Sequence, residues 1–368
     1  MKYSVLLVGL VVLASGCVGI PDIFGRDVIS IQQSVVENGV KDVIAVRDIY
    51  TIPKSPLLPD QQVILSFLLE NRDAVKSSQA YVDLFNAPTM RDLQDRPCNF
   101  YAATGYTPNT LGIGTPLPPE PPPNGVPALP SSQRFCTPDQ CGVDTGGCPI
   151  LPGEEKPVNI PMKTPTESDI KSIRTQTKLD FKTTYDFEGA LSYIVPAVNS
   201  DEITKRQRAG EKTNLFTTKS HSSGPVQIDV ELQGAPYMLN NFEAVMLFKI
   251  NNRGSGTLVK SQIESGSMEI LFPPEFDVIN DRHSEKFTCN PDALTGGMRC
   301  VNDGGKLGPA EGIIPIYRDE SRSSLRFSVK LREPLEEPFR SYQITSTVHY
   351  SYELRSSMDL TINPFNNV

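Results

Sequence analysis

Tryptophan is absent from the 368 residues, and histidine occurs only three times. The first absence removes the strongest stacking platform for sugars and quaternary amines, leaving tyrosine as the substitute. The second leaves few imidazoles for metal binding or proton transfer. His221, His283 and His349 lie far apart in the chain, and each reads as a plain surface residue. No Gly-x-Ser-x-Gly elbow, P-loop, His-Glu-x-x-His pair or EF-hand loop occurs. The carboxylate pairs Glu154-Glu155 and Glu336-Glu337 adjoin prolines and lack the Asp-x-Asp spacing of a calcium loop. No enzyme class, metal or cofactor is therefore implied. Positive charge is also in deficit: the net charge of -8 argues against an extended basic face for nucleic acid.

Long apolar runs are missing with one exception. Val5 to Ala14 follows the basic Lys2 and leads into small residues before Cys17, which is the layout of an export signal. It falls short of the roughly 20 residues a spanning helix needs. Leu13-Ala14-Ser15-Gly16-Cys17 resembles the lipobox of prokaryotic lipoproteins, and Gly16-Cys17-Val18-Gly19 has the flavour of archaeal examples. The resemblance implies cleavage after residue 16, a lipid on the Cys17 sulfur, and an address on the extracytoplasmic face of the cell membrane. The commonest lipobox has a large aliphatic residue where this chain has Ala14, so a soluble secreted protein and an uncleaved membrane helix stand beside the lipoprotein reading. On the lipoprotein reading, 1–16 is the signal peptide and 17–27 a short tether that keeps the first domain close to the membrane.

Seven cysteines is an odd number. Assigning Cys17 to lipid leaves six, enough for three disulfides outside the cell. Cys289 and Cys300 stand alone in the C-terminal half and most simply pair with each other. Cys98, Cys136, Cys141 and Cys148 leave three pairings open. A zinc site is disfavoured because the usual Cys-x-x-Cys knuckles are absent.

What remains is rich in alternating Val, Ile, Thr and Tyr, punctuated by 32 prolines and 26 glycines, the composition of an all-β chain. Strands are expected at 28–36, 42–50, 62–70, 79–85, 156–163, 178–185 and 190–198, with a short helix capped by Thr166 and Asp169. The strand 62–70 is apolar on both faces and is expected at the centre of a sheet covered on both sides. Periodicity vanishes over 87–152, a Cys/Pro-rich insertion in the first domain (28–198). Its aromatics Phe100, Tyr101, Tyr106 and Phe135 are the candidates for partner contact. Residues 199–224 read as a solvated linker whose Lys205, Arg206 and Arg208 are interspersed with acids. The second domain, 225–368, opens on the strict alternation Val226, Ile228, Val230, Leu232. Further strands are expected at 244–251, 258–263, 268–272, 313–317, 325–331, 342–352 and 358–362.

The halves can be laid on each other. Val63 to Arg72 parallels Ala244 to Arg253, and Tyr185-Asp186-Phe187-Glu188 parallels Tyr350-Ser351-Tyr352-Glu353. A diverged repeat of this kind implies two tandem immunoglobulin-like β-sandwiches. Strands ending in Glu-Asn or Asn-Asn, and Leu151-Pro152-Gly153-Glu154 before the next strand, resemble the CARDB-like modules of archaeal and bacterial surface proteins. That resemblance implies a non-catalytic extracellular module that binds, spaces or assembles envelope components. Two alternatives belong to other classes: an accessory subunit of a membrane or filament complex, which needs an exposed apolar patch, and a secreted hydrolase, which needs a concave pocket gathering His283 or His349 with carboxylates.

Overall fold

The computed structural model describes residues 29–37, 40–98, 136–143, 145–211, 213–279, 285–317, 319–321 and 325–365. Cys17, Phe100, Tyr101, Tyr106, Phe135 and His283 lie outside the described residues. In chain order the strands are β1 (Ile29–Glu37), β2 (Ile44–Ile52), β3 (Gln62–Asn71), β4 (Ser78–Asn86), β5 (Cys148–Ile150), β6 (Glu155–Lys163), β7 (Thr175–Val198), β8 (Thr213–His221), β9 (Val226–Leu232), β10 (Met238–Leu239) and β11 (Ala244–Asn252). They continue with β12 (Thr257–Leu258), β13 (Gln262–Ile263), β14 (Met268–Phe272), β15 (Phe276–Ile279), β16 (Thr288–Pro291), β17 (Met298–Val301), β18 (Ile314–Tyr317), β19 (Glu320–Ser321), β20 (Leu325–Leu331) and β21 (Phe339–Ile362). Helices α1 (Glu167–Ile170) and α2 (Ser200–Ala209) flank β7. The expected capping box at Thr166 and Asp169 is present at the start of α1.

Two strands of 24 residues each, β7 and β21, pair antiparallel along their whole length, from Thr175 opposite Ile362 to Val198 opposite Phe339. The sequence suggested two strands in each place, because Gly189 and the polar run Arg355-Ser356-Ser357 look like breaks. Neither interrupts the ladder. Side chains alternate between faces with a period of two, and on this ribbon the alternation never slips. Leu179, Phe181, Tyr185, Phe187, Leu191, Tyr193 and Val195 of β7 are buried, as are Tyr342, Ile344, Val348, Tyr350, Tyr352, Leu360 and Ile362 of β21. One face is therefore apolar from end to end, and two smaller sheets cover it side by side.

The three-stranded sheet β2-β3-β6 covers one half of the ribbon, where Phe67 of β3 stacks on Phe181 of β7 at 4.4 Å between ring centroids. The sheet containing β9, β11, β20 and β15 belongs to the other half, where Phe248 and Phe327 pack edge-to-face at 5.6 Å and Phe272 completes the cluster. Phe67 and Phe248 are the residues matched in the sequence repeat. Truncating one such ring costs about 3–5 kcal/mol. The result is two β-sandwiches that share their inner strands: β7 starts in the first and ends in the second, and β21 does the reverse.

The repeat is carried into geometry. Asn71 stands opposite Ile44 and Asn252 opposite Val226, and the next residues, Arg72 and Arg253, donate their amides to Val43 and Pro225. Tyr185 faces Tyr352 and Phe187 faces Tyr350 across the ribbon. The two aromatic motifs thus lie against each other about a pseudo-twofold axis through the Asp186–Ser351 pair.

Three expectations are corrected. Residues 199–224 are not a plain linker: they carry α2 and β8, whose Leu215, Thr217, Lys219 and His221 point inward and are buried. An inward row that is polar but for Leu215 gave no hydrophobic alternation to read, and burial takes His221 off the surface. Strand β3 is central in its sheet but is not covered on both sides. Its outward Ile64 is 37% exposed and, with Ile52 and Pro161, forms a row across β2, β3 and β6. Finally, β1 joins the second sandwich rather than the first, running parallel to β8.

The six cysteines after Cys17 form three disulfides: Cys98–Cys136, Cys141–Cys148 and Cys289–Cys300. The last links facing positions of the β16–β17 hairpin.

Because both cores rest on one ribbon, thermal unfolding should be a single transition by calorimetry, and two resolved peaks would contradict the shared ladder. Gly189→Val would set a Cβ 2.7 Å from the Val226 carbonyl oxygen. It should lower that one transition by about 1–3 kcal/mol without splitting it.

Candidate functional site

Inward placement of the four aromatics at the middle of the ribbon forces their neighbours outward. Asp186 and Glu188 of β7 therefore face Ser351 and His349 of β21 on the outer surface. Val75-Lys76-Ser77 rises on one side of this polar square, and residues from Val259 to Ser267 rise on the other. Between them a groove of about 820 Å³ crosses the waist of the molecule.

An asparagine at the end of a strand braces the Lys76 wall, and its counterpart in the repeat braces the turn before β12, from which the chain runs into the other wall. Asn71 donates its side-chain amide to the carbonyls of Lys76 (2.9 Å) and Ile150 (3.0 Å), and its Oδ1 accepts from the Asp73 amide. Asp73 in turn accepts from the amides of Val75 (2.7 Å) and Lys76 (2.6 Å). Burial opposes charge on Asp73, but these amides outweigh it and hold the carboxyl below its usual range. On the other side Asn252 donates to the Gly256 carbonyl at 2.9 Å, while its Oδ1 accepts from the Gly254 amide and the Tyr352 hydroxyl. Gly254 is required there, since a Cβ would lie 2.5 Å from the Asp42 carboxylate, Pro225 and the Tyr352 hydroxyl.

The turn delivers Lys76, whose Nζ donates to Glu188 Oε1 at 2.8 Å and lies 5.6 Å above the Phe187 ring centroid. That hydrogen bond lowers the Glu188 carboxyl below its ordinary value. His349 Nε2 lies 3.5 Å from the other Glu188 oxygen. Lys260 pairs with Glu264 at 3.1 Å, which lowers the Glu264 carboxyl. Ser351 donates its hydroxyl to Asp186 Oδ1. Beneath the floor, burial pushes the Tyr185 and Tyr350 hydroxyls far above their usual range and that of Tyr352 up to about 12. The layer beneath the floor is thus neutral, and the charge lies above it.

The groove gathers His349 with Glu188 and Asp186, as the hydrolase alternative required, but the connectivity is wrong for a nucleophile. The serine hydroxyl is held by one carboxylate and the imidazole by another. Among the described residues no hydroxyl bonds the imidazole, so no base draws off the serine proton. No cluster of three metal-ligating side chains occurs among the described residues. What the groove offers is a set of held donors and acceptors: two lysine–carboxylate pairs and the Asp186 carboxylate bonded to a hydroxyl.

Sequence reasoning matched the Tyr185–Glu188 and Tyr350–Glu353 segments without placing them together. The missing signal was available: residues that alternate with a buried aromatic pair on two paired strands share the opposite face. Asn71 and Asn252 stood out as matched strand ends without showing what they brace, and Lys76 and Asp73 gave no hint, because their roles depend on turn geometry.

No protein-family model matches the chain, and no curated protein matches it. Three solved structures are reported for scale. One described as BspA_C_WT is 7% identical, with 87% of this chain and 97% of that one covered at a TM-score of 0.16. The B domain of a biofilm associated protein is 7% identical over 92% and 76% at 0.15. The C-terminal domain of the Streptococcus pyogenes antigen I/II-family protein AspA is 8% identical over 88% and 100% at 0.13. At TM-scores this low the likeness carries no argument about fold or task.

Asp73→Ala should destabilise the protein by about 1–3 kcal/mol through its two lost amide bonds. Asp73 is held below its unfolded value, so its contribution is present above roughly pH 4 and fades as pH falls through the lowered folded value. Urea titrations at pH 7 and pH 3 should show the gap between wild type and variant shrinking in acid, and a gap independent of pH would contradict this account of the turn.

Proposed function

We propose that this is a non-catalytic surface protein, anchored by lipid on Cys17 to the extracytoplasmic face of the membrane, which binds and spaces envelope components. The observation that carries the reading is the cysteine balance. All six later cysteines are taken up by three disulfides, which leaves no other cysteine of the chain to pair with Cys17. Three disulfides suit an oxidising exterior, and the apolar run before Cys17 suits export. The shared ribbon supports a spacing role, because a body with no linker between its sandwiches transmits position without a hinge.

A second reading, as a subunit of a larger envelope assembly, rests on the row Ile52, Ile64 and Pro161 on the open face of the first sandwich, with Tyr50 beside it at 41% exposure. Apolar side chains in contiguous array on a surface mark association sites.

The test is Cys17→Ser in the native host. The variant should accumulate as an uncleaved precursor or appear in the medium, while the wild-type chain floats with membranes and its mature N-terminal peptide weighs more than its residues by a lipid adduct. Detergent-dependent membrane retention of a trimmed Cys17→Ser product would refute the anchor. Affinity capture of the full-length protein addresses the second reading: Ile52→Asp with Ile64→Asp should remove co-purifying chains if that face is an assembly surface, and leave them unchanged if the groove or another surface holds the partner.

A further inference from the structure

The path of β1 fixes where the anchor meets the folded body. Leu191 and Ile194 of β7 pair with His221 and Thr218 of β8. Thr213 therefore lies five residues further along, level with the end of β7 at Val198. Strand β1 runs parallel to β8 with Ile29 beside Thr213 and Glu37 beside His221. The chain enters at the pole of the second sandwich, where β7 ends, β21 begins and α2 sits, and it climbs to the waist before building the first sandwich. The opposite pole holds Thr175, Ile362 and α1, and the amide of Phe365 bonds to Glu167 there at 3.3 Å. The Cys98 end of the insertion belongs to that far half, through the Cys98 amide on Met90, the Arg91–Lys163 bridge and the Thr89–Thr177 hydroxyl bond at 2.9 Å.

We propose, resting on the lipid-anchor reading, that the pole of the second sandwich carrying α2, Phe242 and Phe339 faces the lipid surface, and that the first sandwich with its Cys98–Cys136 staple stands at the membrane-distal end. From Cys17 to Ile29 the chain reaches at most about 40 Å even fully extended. The ribbon, at about 3.3 Å per residue over 24 residues, spans roughly 75 Å. The tether thus holds the entry pole near the bilayer and cannot by itself bring the far pole there.

Charge alone does not select this end. Lys205, Arg206 and Arg208 of α2 share the pole with Glu333, Glu336 and Glu337, and Lys205 and Arg206 both pair with Glu202. The chain path selects it. Two features favour standing over lying flat. Three exposed rings lie at the entry pole, Phe216, Phe242 and Phe339 at 59%, 58% and 43% exposure, against Phe365 at the far one, and aromatic side chains suit the headgroup region. The outer face of the ribbon's first half is polar, from Gln176 to Glu188 on β7 and His349 to Thr361 on β21, and a net charge of -8 is repelled by anionic lipid.

The experiment uses the full-length lipidated protein in vesicles of neutral and anionic phospholipid that carry an acceptor dye on a headgroup. A donor dye is placed by a noncanonical residue at Asp201 on α2 or at Ser168 on α1, both exposed. Energy transfer from position 201 should exceed that from position 168 severalfold. Equal transfer would show a body lying flat, stronger transfer from 168 would show it inverted, and weak transfer from both while the protein floats with vesicles would show a tether longer than the chain allows; each overturns the proposal. Failure to float with vesicles is a different result: it removes the lipid anchor itself, and the orientation with it.

Discussion

Everything in this molecule rests on the antiparallel ladder between β7 and β21. A two-stranded ribbon alone is barely stable in water, and this one survives because each half is covered by a separate sheet on its apolar face. Neither core can form without strand from both halves of the chain. The coupling between the sandwiches is thus a matter of backbone hydrogen bonds and shared side chains rather than of a docked interface. Two bodies that lend each other a strand behave as one.

The same sharing creates the waist. Where the two cores meet, the inward aromatics come from both strands and both halves of the repeat, and the outward residues are left as a polar square. The turn braced by Asn71 walls that square on one side, and the segment from Val259 to Ser267 walls it on the other. The groove is consequently a product of the pseudo-twofold arrangement: Glu188 and Glu264 are paired with Lys76 and Lys260, and Asp186 is met by the neutral Ser351 hydroxyl.

Much of the architecture was legible in the residues. Alternation in Val226 to Leu232 and Leu325 to Leu331 marked strands directly, and the Thr166–Asp169 spacing marked a helix start. The pairing of Cys289 with Cys300 followed from their isolation. What could not be read had physical reasons. Strand β8 hides its inward row behind Thr217, Lys219 and His221, with the Lys219 charge met by Asp229 at 2.6 Å, so its burial leaves no hydrophobic signature. The continuity of β7 and β21 was masked by Gly189, which ordinarily breaks a strand but here admits the Val226 carbonyl. The exposed Ile52 and Ile64 mimic a buried strand because sequence cannot tell an uncovered apolar face from a covered one. The waist groove needed strand register, which no local pattern encodes.

An unbroken period of two over 24 residue pairs also restricts how such a protein can change over generations. Gaining or losing one residue inside either long strand would turn every later side chain over, sending one core's aromatics into water and its charges inward. Only a compensating change in the other strand would restore the match, and two such events rarely arrive together. The tolerated route is substitution along the ribbon and growth at the loops. The long span between Cys98 and Cys136, whose two end cysteines lie outside every strand, is where a lineage can add length without disturbing the frame.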